Sequence, residues 1–371
     1  MAEQTHAINR VVIKVGSSVL TDASGRLLPE RIEQLAAGIA ACAAEHRQPL
    51  LISSGAIACG MARLGLTRRP NSLAQLQACA AIGQSELMHL YNLAFAKHRI
   101  VTAQVLLTQE DLSNQRRYHN AKQTILTLLH QRVVPIINEN DTVAVEEITF
   151  GDNDRLAALV AAAVDAQLLI ILSDVDGFLH NGHVVAQVET LSHLRASVLD
   201  RGGRSTTKGG MTSKLEAARI AGHSGIATVI ANGTRPAVLG QLLAGEPVGT
   251  LFVPPRSRLT PKKWWIAFSL RQPKGVVTID AGAAEALLER GKSLLASGIQ
   301  EVQGQFEAGE CLAVRNEQGS EVARGLSDFS SGELRRIQGM KSAEAARTLG
   351  QQRPRAVIHR DHLVLAKEIH T

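Results

Sequence analysis

The stretch that sets the fold is Val11-Val12-Ile13-Lys14-Val15-Gly16-Ser17-Ser18, an apolar run that ends in a glycine turn. It predicts a buried β-strand. Comparable apolar runs recur along the chain, at Leu50–Ile52, Ile100–Leu106, Val133–Ile137, Leu168–Leu172 and Ala227–Ile230. Longer helical patterns separate most of them. This alternation predicts an α/β fold, a parallel-sheet αβα sandwich with helices on both faces of the sheet.

Most of these apolar runs are followed closely by small or polar residues. The following segments are Gly16–Ser18, Ser53–Gly55, Asn138–Asp141, Ser173–Gly177 and Asn232–Gly233. Ligands bind to parallel sheets at the carboxyl ends of the strands. We therefore expect the active site along that edge of the sheet.

Length and composition indicate two domains. A chain of 371 residues exceeds one ordinary domain. A proline-rich and basic segment at 255–274 predicts a linker between a large domain at 1–254 and a small domain at 275–360. The small domain is predicted to be a mostly-β barrel with one helix near Ala283–Arg290. Its strand-like runs are Val276–Ile279, Cys311–Val314, Val322–Gly325 and Ala356–His359.

Charge and cysteine usage limit the functional classes. The net charge of +6 is concentrated after residue 254, where 18 Lys and Arg stand against 13 Asp and Glu. This excess leaves RNA open as a partner, although a solvated basic surface is the more common outcome. The four cysteines show no metal-binding spacing, and no signal peptide or membrane span is visible. We therefore expect a cytoplasmic protein with reduced thiols and no membrane partner.

Two lysines lie beside glycine-rich turns. Lys14 precedes Gly16 at the end of the first strand, and Gly209-Gly210-Met211-Thr212-Ser213-Lys214 leads into a helical pattern. Backbone N–H groups at such positions bind phosphate, and a lysine adds a full positive charge. Each segment by itself has a structural alternative, a strand that ends in a glycine turn for the first and a plain flexible loop for the second. Together they predict a polyphosphate site that lacks a Walker-type motif.

Three further segments are candidates for binding the acceptor. They are Ser53-Ser54-Gly55, Asn138-Glu139-Asn140-Asp141 and Asp152-Asn153-Asp154. Each has a structural alternative, because serine and aspartate cap helices and asparagine forms turns. One cap or turn needs only one such residue. The additional polar residues of these segments indicate binding of a carboxylate or an amine, or the orientation of lysines.

Taken together, these motifs resemble those of the glutamate 5-kinases, members of the amino acid kinase family that carry a C-terminal PUA-type domain. The resemblance rests on Val12–Ser18, Ser53–Ala58, Pro135–Asp141, Gly151–Asp154 and Gly209–Lys214. There are two departures from the family pattern. Thr207-Lys208 stands where the family usually has Gly-Thr, and Asp174–Leu179 is followed by the short turn His180-Asn181-Gly182. Both concern contacts to the nucleotide and leave the catalytic core unaffected.

The resemblance implies a role for each of these residues. The catalytic residues are Lys14 and Lys214, which contact the phosphates of the nucleotide and the transferred group, and Asp154, which orients both lysines. Glutamate is bound by Ser54, Asp141 and Asn153. The nucleotide contacts are Lys14, Gly16, Ser173, Asp174, Lys208, Gly209, Gly210, Met211, Thr212, Ser213 and Lys214. The resemblance also implies a homo-oligomer inhibited by proline, and it leaves the metal ligands unknown.

The implied reaction is ATP-dependent phosphorylation of the side-chain carboxylate of L-glutamate to L-glutamyl 5-phosphate, the first step of proline biosynthesis. This carboxylate, with a reference pKa of about 4.3, is ionised at neutral pH and needs no general base. Two lysines and Mg²⁺ on the phosphates of ATP are the expected means of bringing two anions together. Two alternatives stay open: a related kinase acting on N-acetylglutamate or aspartate, and an RNA-binding protein with an inert kinase-like domain.

Overall fold

The computed structural model describes residues 8–22, 24–144, 152–189, 210–270 and 272–370. The chain divides into two compact units, Met1–Arg258 and Leu259–Thr371. The segment predicted as a linker, 255–274, contains the helix Pro261–Phe268, which belongs to the second unit. Each unit is built around a β-sheet of its own.

A mainly parallel sheet forms the centre of the first unit. Its strands in the described ranges are β1 (Arg10–Val15), β2 (Gln48–Ile52), β3 (Thr102–Leu107), β4 (Val134–Glu139), β5 (Leu168–Ser173), β8 (Gln187–Val188), β9 (Ala227–Asn232) and β10 (Thr250–Phe252). β6 (Leu179–His180) and β7 (His183–Val184) form a separate hairpin. The strand order is β3-β4-β2-β1-β5-β9-β10-β8, parallel from β3 to β9. The predicted parallel sheet is confirmed, with an unpredicted antiparallel step between β9 and β10.

Helices cover the sheet on both faces. They are α1 (Ser17–Leu20), α2 (Pro29–Ala44), α3 (Ala56–Arg63), α4 (Leu73–Ala96), α5 (Gln109–Ser113), α6 (Gln115–His130), α7 (Asp152–Ala163), α8 (Gly210–Gly222) and α9 (Val238–Leu243). Successive residues of a strand point to opposite faces. Val11 and Ile13 of β1 join the core that includes α2, α4 and α9. Val12 is buried on the other face, where α7 contacts β1 and β5. This arrangement confirms the αβα sandwich.

Two glycines let α3 and α4 cross with their backbones in contact. A Cβ atom at Gly60 would lie 1.9 Å from the carbonyl oxygen of Cys79, and one at Gly83 would lie 1.9 Å from that of Ala56. No side chain fits at such distances, so only glycine allows this approach. The crossing fixes α4 beside the first residue of α3, directly after the polar segment that follows β2.

The second unit contains a five-stranded mixed sheet in the order β12-β11-β13-β14-β15, as far as the structure describes it. The strands are β11 (Gly275–Ile279), β12 (Ile299–Gly304), β13 (Cys311–Arg315), β14 (Glu321–Leu326) and β15 (Leu363–Leu365). The helices are α10 (Pro261–Phe268), α11 (Ala281–Leu288), α12 (Ser331–Ile337), α13 (Ser342–Thr348) and α14 (Ala366–His370). Short 3₁₀ turns occur at Ala296–Gly298 and Arg360–His362. Among all helices that the structure describes, none has the length and apolar character needed to cross a membrane.

The strand prediction for the second unit is wrong in part. Ala356–His359 is not a strand, because Ile358 pairs with Leu294 only as an isolated bridge. Its apolar run reflects burial, since Val357 and Ile358 are fully buried in the core of this unit. β12 and β15 were not predicted. β12 buries only Ile299 and Val302 and exposes the residues between them, so it lacks the apolar run that marks a strand.

Candidate active site

The polar residues that follow the strands meet at one edge of the first sheet. β4, β2, β1 and β5 are neighbours and run parallel, so their carboxyl ends lie side by side. The residues at these ends are Lys14 in β1, Ser53 after β2, Asn138 in β4 and Ser173 in β5. The first turn of α7 adds Asn153 and Asp154 to the same edge. These polar residues therefore gather at the edge of the sheet where the site is predicted.

Asp154 contacts both predicted lysines. Its Oδ1 atom lies 2.6 Å from Nζ of Lys14, and its Oδ2 atom lies 3.3 Å from Nζ of Lys214. The hydroxyl group of Ser213 donates a hydrogen bond to Oδ2 at 2.7 Å. The exposed fractions are only 5% for Lys14, 1% for Asp154 and 8% for Lys214. This lysine–aspartate cluster (Lys14, Asp154 and Lys214) joins β1, α7 and α8, which are far apart in sequence.

Two lysines share one carboxylate, so the cluster carries surplus positive charge when both ammonium groups are protonated. Burial lowers the pKa of the Lys14 ammonium group; Asp154 opposes this shift, and Lys214 adds to it. Burial alone would raise the pKa of the Asp154 carboxyl group, but the two lysines outweigh it and hold that pKa below its ordinary value. Asp154 is therefore ionised at neutral pH. Buried surplus charge is unfavourable until a counter-ion neutralises it, so the cluster suits an anion such as a phosphate.

The starts of two helices support the cluster. Asp154 lies in the first turn of α7, where the helix dipole favours a negative charge. Nζ of Lys214 donates to the carbonyl oxygen of Gly210 at 3.0 Å, which keeps the ammonium group beside the first turn of α8. Met211, Thr212 and Ser213 complete this turn, so the glycine segment opens a helix as predicted. The candidates Lys208 and Gly209 lie outside the described residues.

The neighbouring Asn153 forms hydrogen bonds with uncharged groups. Its Nδ2 atom donates to the carbonyl oxygen of Ser53 at 2.9 Å, to Oγ of Ser54 at 3.0 Å and to Oδ1 of Asn138 at 3.0 Å. These contacts tie the start of α7 to the ends of β2 and β4. They also bring together Ser54 and Asn153, two of the three residues predicted to bind glutamate.

The Oδ1 atom of Asn153 is buried and accepts no hydrogen bond from the described residues. Its direction is set by the Ser53 carbonyl group, which can only accept and therefore requires the amide nitrogen on its own side. A buried acceptor left unpaired costs about 1–3 kcal/mol. An atom of this kind at the edge of a sheet is a candidate for a hydrogen bond from a ligand.

The end of β5 places further candidates near Lys14. Oγ of Ser173 donates to Oδ1 of Asp174 at 3.0 Å, and the charge of Asp174 acts on Lys14 by raising its pKa against the effect of burial. The N–H group of Gly16 donates to the carbonyl oxygen of Leu172 at 3.0 Å, so this N–H group is already paired with β5. A Cβ atom at Gly16 would lie 3.8 Å from Nζ of Lys14. Glycine thus leaves room beside the lysine.

Asp141, the third predicted glutamate residue, lies in the turn after β4. The preceding Asn140 donates its N–H group to the carbonyl oxygen of Leu107 at 2.9 Å, which anchors the turn to β3. Asp141 is partly exposed. It follows Asn138 by three residues and so stands at the same strand end as the amide contacts of Asn153.

Comparison with known proteins identifies the family. The model of the amino acid kinase family matches residues 9–232, which is more than half of the chain. The chain belongs to the amino acid kinase family. The model of the PUA domain matches residues 275–349, within the second unit. The resemblance inferred from the motifs is confirmed, and the protein is a kinase of this family.

Similar amino acid kinases extend over nearly the whole chain. The chain is 47% identical over 368 residues to a glutamate 5-kinase of Thermus thermophilus, in an alignment that covers 97% of this chain and 98% of that protein. It is 45% identical over 365 residues to the glutamate 5-kinase of Geobacter sp. strain M21, with 96% of this chain and 98% of that protein covered. Among solved structures, carbamate kinase from Giardia lamblia bound to AMP-PNP covers 67% of this chain and 99% of its own, with 16% identity and a TM-score of 0.49.

Two residues of this amino acid kinase that contact the strand ends of the site, Gln84 and Tyr91, were not predicted from the motifs. Oε1 of Gln84 accepts a hydrogen bond from Nδ2 of Asn138 at 2.8 Å. The hydroxyl group of Tyr91 lies 2.9 Å from Oγ of Ser53, and both residues are fully buried. Gln84 and Tyr91 lie in α4, far along the chain from their partners. No local motif marks them, and only the fold brings them to the strand ends.

Proposed function

We propose that this protein transfers the γ-phosphoryl group of ATP to the side-chain carboxylate of L-glutamate, giving L-glutamyl 5-phosphate, the first step of proline biosynthesis. The observation that carries the proposal is the buried lysine–aspartate cluster beside the neutral amide of Asn153. Surplus positive charge fits a phosphoryl group, and neutral hydrogen-bonding groups fit an amino acid. The name borne by the relatives that match nearly the whole chain agrees with this activity.

The chemistry needs electrostatic stabilisation more than proton transfer. The carboxylate of glutamate, with a reference pKa of about 4.3, is ionised at neutral pH and attacks phosphorus directly. Its approach to the phosphates is opposed by repulsion of roughly 4 kcal/mol for two unit charges about 4 Å apart at an effective dielectric constant of about 20. Lys14 and Lys214 reduce this repulsion and stabilise charge on the transferred group. Asp154 keeps both ammonium groups in place.

The nucleotide is assigned to the side of the site formed by β1, β5 and the start of α8. Gly16 leaves space beside Lys14, and Ser173 and Asp174 lie at the next strand end. Gly210, Met211, Thr212 and Ser213 form the first turn of α8, a helix start that suits the phosphates. Lys208 and Gly209, the residues directly before α8, remain part of this proposal.

The acceptor is assigned to the side formed by the ends of β2 and β4. Ser54 and the Oδ1 atom of Asn153 offer neutral hydrogen-bonding groups. Asp141, in the turn after β4, is the proposed partner of the ammonium group of glutamate, because a charge-assisted hydrogen bond is stronger than a neutral one.

Members of a kinase family that use ATP are expected to need a divalent metal ion, and we propose Mg²⁺ bound to the phosphates of ATP. The described residues contain no group of three or more His, Cys, Asp or Glu that could hold a metal ion. The carboxylate of Asp154 is already engaged by two lysines and Ser213. These facts fit an ion that arrives with ATP and keeps phosphate oxygens and water as its main ligands, with Asp174 as the nearby exposed carboxylate. Its contribution is to neutralise charge on the phosphates.

ADP release with different acceptors tests the proposed function. We expect release with L-glutamate and much less with N-acetylglutamate or L-aspartate, because the first lacks an ammonium group and the second is shorter. Hydroxylamine in the assay should trap the acyl phosphate as a hydroxamate, which proves that a carboxylate accepts the phosphoryl group. If ADP release is greater with N-acetylglutamate or L-aspartate, that acceptor is the substrate and the proposal of glutamate is wrong. No release with any acceptor, together with salt-sensitive RNA binding, would favour the RNA-binding alternative.

Two further parts of the proposal concern regulation and assembly. The family resemblance supports a homo-oligomer inhibited by proline, and the PUA domain keeps RNA open as a partner. Light scattering of the purified protein measures the assembly, and the same ADP assay with added proline measures inhibition. A monomer in solution would contradict the proposed homo-oligomer, and activity unchanged by proline would contradict the proposed inhibition.

A further inference from the structure

One face of α4 reaches two strand ends of the site. Gln84 and Tyr91 are seven residues apart, which places them on the same face of the helix. Gln84 contacts Asn138 at the end of β4, and Tyr91 contacts Ser53 just after β2. Both of these partners accept a hydrogen bond from Nδ2 of Asn153. The two α4 residues therefore support one amide group from two directions.

The hydrogen bonds of Asn138 can run in only one direction. The N–H group of Glu139 donates to Oδ1 of Asn138 at 3.0 Å, and a backbone N–H group cannot accept. Asn138 must therefore turn its Nδ2 atom toward Gln84, which presents Oε1 as the acceptor. This leaves Oδ1 of Asn138 in place to receive Nδ2 of Asn153. Gln84 thus helps fix which side of the Asn153 amide faces the protein.

The hydrogen bonds of Ser53 also have a defined direction. Oγ of Ser53 donates to the carbonyl oxygen of Ser54 at 3.3 Å, so Tyr91 is the donor to Ser53. Burial raises the pKa of the Tyr91 phenol, which keeps this donor protonated. The chain of bonds from Tyr91 through Ser53 holds the peptide group whose carbonyl oxygen accepts from Asn153.

The backbone of α4 is itself fixed next to Gln84. Gly83 touches the backbone of Ala56 so closely that a Cβ atom would lie 1.9 Å from its carbonyl oxygen. Ala56 begins α3 directly after Ser54 and Gly55. The α3–α4 crossing therefore ties the position of Gln84 to that of Ser54.

We propose that Gln84 and Tyr91 are positioning residues that make the site prefer an acceptor with a free ammonium group. They hold Asn138 and Ser53 in contact with Nδ2 of Asn153, which leaves the buried and unpaired Oδ1 of the same amide as the hydrogen-bond acceptor for the substrate. Oδ1 accepts a hydrogen from the ammonium group. When the support is lost, Ser53 and Asn138 can shift, and Oδ1 of Asn153 is no longer held where the ammonium group of the acceptor binds. This inference rests on the proposed function.

The test compares glutamate with glutarate, which has the same two carboxylates and no ammonium group. In Gln84→Met and in Tyr91→Phe, we expect the KM for glutamate to rise about 3- to 10-fold, because each variant loses one neutral hydrogen bond that supports Asn153. The constants for glutarate and for ATP should stay within about twofold, since neither uses Oδ1. The glutarate constant is measured from turnover, or as an inhibition constant against glutamate if turnover is absent.

Three variants serve as controls. Gln84→Glu keeps an acceptor for Nδ2 of Asn138 and should keep the KM for glutamate at or below the wild-type value, unlike Gln84→Met. Gln75→Met changes an exposed glutamine of the same helix and should leave all constants unchanged. Tyr91→Phe removes a single oxygen atom, so it decides the matter if Gln84→Met fails to fold.

The outcomes separate this inference from the proposed function. Equal rises for glutamate and glutarate would show a merely structural role for α4, and unchanged constants in both variants would show no role; either result overturns the inference alone. A wild-type protein that releases no ADP with glutamate refutes the proposed function, and the inference falls with it.

Discussion

Two adjacent residues of α7, Asn153 and Asp154, support two halves of the site that differ in kind. The charged half consists of Lys14, Asp154, Ser213 and Lys214. The neutral half consists of Ser53, Ser54, Gln84, Tyr91, Asn138 and Asn153. One helix start thus anchors a cluster of ions on one side and a network of amides and hydroxyl groups on the other.

The difference indicates a division of work between the halves. Attraction between charges falls slowly with distance, so the charged half can follow a phosphoryl group as it moves from ATP to the acceptor. Hydrogen bonds need a short distance and a straight angle, so the neutral half suits a group that stays in place. The charged half therefore fits the moving phosphoryl group, and the neutral half fits the acceptor backbone.

Removing a lysine from the charged half should have the largest effect. Lys14→Ala and Lys214→Ala each delete a positive charge that we propose stabilises the transition state, and we expect kcat to fall by about 10²- to 10³-fold. The KM for glutamate should change much less, because the neutral half is intact. Initial rates of ADP release over ranges of ATP and glutamate give both constants.

An exposed lysine provides the control for this experiment. Lys97→Ala removes a charge at the surface, where Lys97 pairs with Glu33 at 2.6 Å, and should leave kcat unchanged. A folded Lys14→Ala or Lys214→Ala protein with wild-type kcat would exclude the corresponding lysine from the chemistry. A rise in the KM for glutamate with unchanged kcat would show that the lysine acts on the acceptor and not on the phosphoryl group.

The sequence predicted the charged half better than the neutral half for a physical reason. Lys14, Asp154 and Lys214 stand in short segments with glycine or with further polar residues, and such segments at strand and helix ends are visible locally. The strands of the first sheet were visible too, because parallel strands buried on both faces form unbroken apolar runs. Which carboxylate meets which lysine depends on how α7 packs against β1 and α8, which are distant in sequence.

The supporting residues of the neutral half could not be predicted from a local pattern. Gln84 and Tyr91 sit in a long helix, and each reads there as an ordinary helical residue. Their importance depends on partners at the ends of β2 and β4 and on the close α3–α4 crossing at Gly83. The errors in the second unit have a similar origin, because the exposed residues of β12 hide its strand pattern.

A change in Asp141 should have a smaller effect, confined to the acceptor. Asp141→Asn removes the proposed charge-assisted hydrogen bond to the ammonium group, and we expect the KM for glutamate to rise about 10- to 100-fold. The KM for ATP should stay close to the wild-type value. Asp165→Asn is the matched control, since Asp165 is an exposed acid just before β5, at the opposite end of that strand. A larger rise for ATP than for glutamate would move Asp141 to the nucleotide side.

The smallest expected effect concerns the stability of the protein at acidic pH and involves a histidine next to α8. His223 follows α8, the helix that carries Lys214, and it is buried. Burial, together with the positive charge of Arg219, lowers the pKa of His223 to about 4, while Glu216 opposes the shift. The unfolded chain has a His pKa of about 6.5, so below that pH it binds a proton that the folded protein does not. Stability from this group is therefore complete above about pH 6.5 and falls as the pH drops toward 4.

We expect the free energy of unfolding to fall by about 1–2 kcal/mol between pH 7 and pH 5, and His223→Gln to remove most of this loss. Urea unfolding should be followed by circular dichroism, because both tryptophans, Trp264 and Trp265, lie in α10 of the second unit. His89→Gln, at an exposed position of α4, is the control. The carboxyl group of Asp154 contributes its own loss only below its ordinary pKa of about 4, outside this window. If the free energy of unfolding falls with pH as much in His223→Gln as in the wild type, the acid sensitivity comes from another titratable group.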